Sequence, residues 1–282
     1  MSEQGLIVVT GASAGIGEAT ALRLGQAGHR VVCAGRRQTE LSAVAEAIRA
    51  SGGTAHAVTA DVTSGPDVQR LFSFAQSAGP VRGVVHCAGV LGAIGPLVEA
   101  DPSEWAEVIR SNLVGAFLVL RSAARAMLAA RSPGSIVLLS GGGAGYGFPS
   151  YSAYAASKAA VVRLAETAAL ELAPAGIVVN ALAPGFVPTG IHAATLAAGP
   201  QRAGESYHAM TRDELRDDSG RRLAAAVDAI VLLLSDRGRR LSGRLVSAVH
   251  DDIGQLIGSA SALGQDGYRL RRTTTVPAKE TP

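Results

Sequence analysis

Along the chain, short apolar runs rich in Val and Ile alternate with longer alanine-rich stretches whose apolar positions recur at helical spacing. The runs Leu6–Thr10, Arg30–Ala34, Ala55–Ala60, Val81–His86, Ser135–Ser140, Ile177–Leu182 and Arg244–Val249 predict strands. Between them, Ile16–Ala27, Thr39–Ala50, Pro66–Ser77, Pro102–Ala130, Ala153–Ala173 and Arg221–Ser235 predict amphipathic helices. Several of the strand runs are apolar throughout rather than alternating, as expected where helices cover both faces of a sheet. Such alternation argues for an α/β fold, a doubly wound, mostly parallel seven-stranded sheet with helices on both sides. No repeat or low-complexity linker divides the chain, so residues 1–258 read as a single domain.

Two segments break this rhythm. A polar insertion at about 185–219 carries His192, Arg202, Glu205, Tyr207, His208, Arg212, Asp213 and Glu214. Long excursions of this kind are functional lids or disordered segments. The tail 259–282 lacks an apolar period and is expected to be mobile or to lie at a subunit interface.

Composition narrows the class. With 48% hydrophobic and 17% charged residues over 282 positions, the chain can bury a sizeable core. Aromatic residues at 4% speak against a stacking platform for single-stranded nucleic acid. The net charge of +3 is dispersed, with small clusters at Arg36-Arg37, Arg221-Arg222, Arg239-Arg240 and Arg269/Arg271/Arg272. These read as solvated surface, and no nucleic-acid partner is expected. No uninterrupted apolar run approaches the roughly eighteen residues that span a bilayer, and Met1-Ser2-Glu3-Gln4 lacks the basic start of a secretory signal. A cytoplasmic protein without membrane attachment is expected. Two cysteines, Cys33 and Cys87, make neither a disulfide framework nor a metal site, and no metal is expected.

The sharpest local signal is the run from Gly5 to Gly17, GLIVVTGASAGIG, in which a strand leads straight into Gly11-x-x-x-Gly15-x-Gly17 and a helix. Glycines there allow a tight turn and a close approach of pyrophosphate to the backbone, while the helix start offers N–H donors and the positive end of its dipole. Gly11, Ser13, Ala14, Gly15, Ile16 and Gly17 are therefore candidate dinucleotide ligands in a Rossmann-like domain. The next strand ends at Gly35-Arg36-Arg37, where an NAD site would carry an acidic residue. Arg36 and Arg37 suit a 2′-phosphate, so NADP(H) is expected over NAD(H).

Tyr154-Ala-Ala-Ser-Lys158 begins a strong helical stretch, and its i, i+4 spacing puts both side chains on one face. A nearby ammonium favours phenolate over phenol, so the Tyr154 pKa is expected to fall from about 10 toward neutrality. Such a tyrosine can serve as general acid toward a carbonyl or general base toward an alcohol.

From about Gly5 to about His250 the chain resembles a short-chain dehydrogenase/reductase of the single-domain branch. Thr10-Gly11-Ala-Ser-Ala-Gly15-Ile-Gly17 is similar to the family's nucleotide loop. Asp61-Val62 sits where the family contacts adenine, and Cys87-Ala88-Gly89 at its Asn-Ala-Gly motif. Asn112 matches the family's helix asparagine, Tyr154 and Lys158 its catalytic pair, and Pro184-Gly185 with Val187 and Thr189 the segment holding the nicotinamide carboxamide. The resemblance implies that Tyr154 exchanges a proton with the substrate oxygen and that Lys158 holds the nicotinamide ribose. It also implies that a serine bonds the substrate oxygen and that Asn112 holds a water joining Lys158 to solvent. A homotetramer or homodimer is implied as well.

Two departures matter. The position at which the family carries its serine is Gly141 here, so Ser140 becomes the candidate and Ser152 the fallback. Cys87 stands in place of an asparagine, which alters hydrogen bonding without suggesting a thiolate. In the family's strand order Cys33 and Cys87 flank the first strand, about 9–10 Å apart, too far for a disulfide. His86 reads as a satisfied polar residue, Trp105 as packing, and His192 and His208 as surface residues, with contact to substrate as the alternative. The expected activity is NADP(H)-dependent interconversion of a ketone and a secondary alcohol. The polar insertion suggests a hydroxylated, sugar- or polyol-like substrate. Epimerisation through transient oxidation and a non-catalytic nucleotide sensor are the alternatives.

Overall fold

Every one of the seven apolar runs becomes a strand, because each offers β-branched side chains to two covered faces. In the computed structural model, which describes residues 5–216, 220–264 and 266–272, they are β1 (Leu6–Thr10), β2 (Arg30–Gly35), β3 (Thr54–Thr59), β4 (Val81–His86), β5 (Ser135–Leu139), β6 (Val178–Ala183) and β7 (Leu245–Ser247). All pairings are parallel, in the order β3-β2-β1-β4-β5-β6-β7. The α/β architecture is therefore as read from the sequence.

Period-two alternation sorts the strand residues between two cores. Val8, Val84 and Leu138 face helices α3 (Gly65–Ala78), α5 (Gly115–Ala129) and α6 (Ser152–Leu172), meeting Leu71, Val119 and Val161. Ile7, Val9, Val85 and Val137 face α1 (Gly15–Gln26), α2 (Gln38–Ala50) and α9 (Arg221–Leu234), meeting Leu24, Leu41 and Ile230. The chain winds from β1 out to the β3 edge and returns to β4 on the other side of β1. That reversal opens a crevice beyond the carboxyl ends of β1 and β4, where ligands bind in open α/β sheets.

Three local outcomes differ from the pattern. The stretch Pro102–Ala130, which reads as one helix, divides into α4 (Pro102–Ile109), a π-helical turn Arg110–Val114 and α5. A π turn widens the helix by one residue and leaves a backbone carbonyl without its usual partner, a device frequent at functional sites. Together Pro102–Ala129 form 28 residues in which an 18-residue window has a mean hydropathy of 1.3, long and apolar enough to cross a membrane, although no single uninterrupted apolar run is. Half of that window is buried, in keeping with a core helix.

The polar insertion is helical, with α7 (Ala193–Ala203) and α8 (Glu205–Glu214) broken at Gly199, whose φ is +72°. Part of the tail lies on the chain's own body. The Leu245 N–H donates to the Tyr268 carbonyl (2.8 Å), and Arg163 donates to that of Leu270 (2.7 Å). Arg271 forms a fork on the buried carboxylate of Glu166 (2.6 and 3.1 Å), with Arg163 and Arg269 beside it. The Arg269/Arg271 cluster is thus partnered rather than simply solvated. Residues 273–282 lie outside those described.

Candidate active site

The β1–α1 turn builds the first wall. At Gly11, φ is +69° and an added Cβ would stand 2.8 Å from the Ala88 nitrogen. At Gly17 a Cβ would meet the Gly11 carbonyl oxygen at 2.3 Å, so the turn closes only with hydrogen there. No side chain caps α1, whose first N–H groups and dipole are left for a ligand. Ala14, Gly15 and Ile16 line the resulting cleft, and Thr189 lies against Gly15 from the opposite bank. These residues fit a pyrophosphate: the backbone is bare, the donors are unpaired and the dipole has the right sign.

A side cleft of about 440 Å³ continues past Ser13, Gly35, Asp61, Val62 and Ala88. Arg37 donates to the Ser13 hydroxyl (3.0 Å) and carbonyl (3.1 Å) and pairs with Glu40 at 3.4 Å. Arg36 is exposed at the same rim and has no ion pair among the described residues. The Asp61 carboxylate accepts from the Thr63 N–H and hydroxyl, both at 2.9 Å, which fixes the turn after β3.

The main cleft, about 1010 Å³, runs from this loop to Ser140, Tyr154 and Lys158 and is closed by Pro184, Gly185 and Val187. Helix α6 places Tyr154 and Lys158 one turn apart, both buried. The Lys158 ammonium donates to the Leu139 carbonyl (2.9 Å) and stands 5.6 Å from the centroid of the Tyr154 ring. Burial draws its pKa down to about 8. The phenol does not behave as expected from the spacing: burial, then the neighbouring phenols Tyr207 and Tyr146, push Tyr154 above its ordinary value. With the ammonium held on a carbonyl, desolvation wins, and Tyr154 is a proton-bearing phenol.

Asn112 sits in the π turn, where its amide uses both of its donors and one acceptor site. Its amide oxygen accepts the Val90 N–H (2.8 Å), and its amide nitrogen donates to the Val90 carbonyl (2.9 Å) and the Ser157 hydroxyl (3.0 Å). Its side chain therefore ties the segment after β4 to α6. Gly89 fits beneath it, with Asn112 Oδ1 3.1 Å and Lys158 Nζ 3.5 Å from where a Cβ would stand. Cys87 borders both clefts, and burial pushes its thiol up to about 12. Cys33 on β2 and Cys87 just past the end of β4 are both free, and those two strands lie either side of β1.

The serines are placed less as expected. The Ser140 hydroxyl lines the cleft but is aimed at the Lys158 carbonyl at 3.4 Å. Ser152 accepts from the Trp105 indole at 3.1 Å, so Trp105 does more than pack. His86 is only half satisfied: Nδ1 meets the Thr10 hydroxyl at 2.9 Å, while the buried Nε2 has no partner among the described residues, and burial lowers its pKa to about 3. His192, expected at the surface, is buried and stacked on Phe186 with centroids 3.9 Å apart.

The far wall of the cleft escaped the sequence reading. Leu91, Tyr146, Phe148, Ile191, Tyr207 and Met210 line the cleft together with Tyr154. Phe148 stacks on Tyr151 (4.4 Å) and meets Tyr207 edge-on (4.9 Å), so the loop after β5 and helix α8 are joined through rings. Of the eight insertion residues named from the sequence, His192 and Tyr207 line the cleft, together with Thr189 at the insertion's start. Arg202 serves the Ile94 carbonyl, Arg212 pairs with Asp213, and Glu214 pairs with Arg222.

Residues 5–198 match the short chain dehydrogenase family model. The chain is a short-chain dehydrogenase. It is 41% identical over 199 residues to 3beta-hydroxysteroid dehydrogenase 1 of Eggerthella lenta, covering 70% of this chain and 76% of that one. It is also 33% identical over 239 residues to glucose 1-dehydrogenase of Gluconobacter oxydans, covering 84% and 88%. Among solved structures, a variant of actinorhodin polyketide ketoreductase with NADPH superposes with a TM-score of 0.77 at 30% identity, covering 88% of this chain and 96% of that one. An NAD+-bound xylitol dehydrogenase superposes with a TM-score of 0.78 at 28% identity, covering 86% and 97%. As a member of this family, the dehydrogenase acts on hydroxyl or keto groups and takes a nicotinamide dinucleotide.

Proposed function

We propose that this dehydrogenase is an NADP(H)-dependent reductase interconverting a ketone and a secondary alcohol on an apolar substrate body. The observation that carries the reading is the Tyr154–Lys158 pair, buried on one face of α6 at the floor of the cleft that begins at the β1–α1 turn. The bound dinucleotide supplies or removes the hydride. Gly11, Ser13, Ala14, Gly15, Ile16 and Gly17 would hold its pyrophosphate. Asp61, Val62, Cys87, Ala88 and Gly89 would border its adenosine side, and Pro184, Gly185, Val187 and Thr189 its nicotinamide. Tyr154, as a phenol, gives its proton to the carbonyl oxygen during reduction and retrieves it during oxidation. The Lys158 ammonium steadies the phenolate that remains.

Arg36 and Arg37 favour NADP(H), since a 2′-phosphate would meet an unpaired guanidinium and a second one already bridged to the phosphate loop. The aromatic wall favours an apolar substrate body over the hydroxylated, polyol-like substrate expected from the insertion, since Arg202, Arg212, Asp213 and Glu214 are taken up by a carbonyl and by ion pairs. Exposed Val114, Phe117, Leu128 and Leu170 on the α5 and α6 side suit a homodimer or homotetramer.

The test is cofactor consumption, followed by absorbance, against apolar and polar ketones. NADPH is expected to support turnover at least tenfold better than NADH, with Arg37→Ala levelling the two. Preference for polyol-derived ketones would overturn the substrate class. Cofactor binding without net consumption would favour an epimerase or a sensor.

The pH profile follows from the Lys158 value. Below pH 8 the ammonium is charged and kcat/KM for reduction is expected to be flat. Above about 8 it loses its proton and reduction is expected to fall, whereas Tyr154 keeps its own proton over the same range. A profile still rising at pH 9 would contradict the assignment.

A further inference from the structure

Gly141 and Gly142 lie under two phenols. A Cβ on Gly141 would stand 2.3 Å from the Tyr154 hydroxyl, and one on Gly142 would stand 3.4 Å from the Tyr146 hydroxyl. The two hydroxyls therefore rest above consecutive residues of the loop after β5. Neither has a hydrogen-bond partner among the described residues, and Tyr146 also lines the cleft. Burial, then Tyr207, then Tyr146 raise the Tyr154 pKa, so both phenols of the wall are felt at the Tyr154 hydroxyl.

The reaction needs a second donor, because a carbonyl oxygen gaining negative charge is better held by two hydrogen bonds than by one. Ser140 is poorly placed to give it: a hydroxyl has one proton, and this one is directed at the Lys158 carbonyl. No serine fits at position 141 while Tyr154 stands where it does, and Ser152 lies outside the cleft, bonded by Trp105. Of the two phenols on the wall, Tyr207 is held edge-on between Phe148 and Tyr151, whereas Tyr146 stands exposed at the cleft rim with a free O–H, on a loop whose neighbours Gly145 and Gly147 have open space where a Cβ would stand.

We propose that Tyr146 is a catalytic residue, donating its phenolic hydrogen bond to the same substrate oxygen that Tyr154 protonates. This rests on the ketone–alcohol reading above. In reduction, the C=O π bond opens as hydride arrives at carbon, the Tyr154 O–H breaks, and its proton forms the alcohol O–H. Tyr146 keeps its own proton throughout and stabilises the developing charge. The site is thus completed from a glycine-rich loop rather than from the strand end, with a long donor reaching where Gly141 leaves no hydroxyl.

The experiment compares Tyr146→Phe and Ser140→Ala in two readouts, with 2-tetralone as the probe. One is kcat/KM with NADPH; the other is the Kd of 2-tetralone for enzyme saturated with NADP+, in which no turnover occurs. Tyr146→Phe is expected to lower kcat/KM roughly 30- to 300-fold, in the range of a lost oxyanion donor. It should weaken ketone binding several-fold while leaving NADP+ affinity unchanged. Ser140→Ala is expected to change kcat/KM less than threefold. Unchanged values for Tyr146→Phe with a large loss for Ser140→Ala overturn the proposal while leaving the ketone–alcohol reading intact. Wild-type protein that neither reduces nor binds 2-tetralone or any other ketone of the panel overturns both.

Discussion

Tyr154→Phe is expected to cut ketone reduction about 10³-fold, within the range contributed by a positioned general acid. The ring would keep its packing near Phe148, since only the hydroxyl is removed. That hydroxyl has no protein hydrogen bond among the described residues, so its loss leaves no buried partner unsatisfied and the melting temperature is expected to stay within about 2 °C. NADPH affinity, read by fluorescence titration, is likewise expected to hold, because Lys158 remains on the Leu139 carbonyl. A loss of turnover with binding and stability intact is the signature of a missing proton donor. Retention of more than a tenth of the activity would remove Tyr154 from the mechanism.

The second large effect is structural in origin. Gly17→Ala would bring a methyl group to 2.3 Å from the Gly11 oxygen, 2.7 Å from its carbonyl carbon and 3.1 Å from the Ala12 nitrogen. All three are backbone atoms, so no side-chain rotation relieves the clash. The turn must open, and the N–H groups at the start of α1 lose their aim. Dinucleotide affinity is expected to fall about 100-fold, equivalent to about 2.7 kcal/mol. Overpacking of this kind costs a further ~1–3 kcal/mol of stability, visible as a drop of several degrees in melting temperature. Gly65→Ala is the matched control: it opens α3, its Cβ would meet nothing within 4 Å, and neither affinity nor stability is expected to suffer. Equal behaviour of the two variants would refute the close-approach argument.

Signals carried by adjacent residues were legible in the sequence. The β1 run and the glycines after it are contiguous, and turn, strand and helix start are each imposed locally, so the dinucleotide site could be read residue by residue. Tyr154 and Lys158 could be paired because helical geometry alone brings i and i+4 together. Their pKa values could not be read that way: the spacing predicts a lowered phenol, while burial under the closed cleft raises it.

The Ser140 assignment shows the same boundary. Position along the chain makes it the nearest hydroxyl to the family's serine, but the direction of its O–H depends on the Lys158 carbonyl across the β5–α6 gap. The polar insertion misleads for a related reason. Residue type says that Arg202, Arg212 and Glu214 are hydrophilic, and only the packing says that a carbonyl, Asp213 and Arg222 take them up. His192 is the converse case, a titratable side chain buried against Phe186.

The chain's own order of apolar and polar residues thus determined the seven parallel strands, the helices on both faces, the phosphate-binding turn and the Tyr154–Lys158 pair, since each follows from backbone periodicity or from neighbours in sequence. Tertiary structure alone decided the π turn at Asn112, the seat of Arg271 on Glu166, and the aromatic wall of Tyr146, Phe148 and Tyr207. Those features join residues tens of positions apart, and their free energy depends on burial and mutual orientation, which no local pattern encodes.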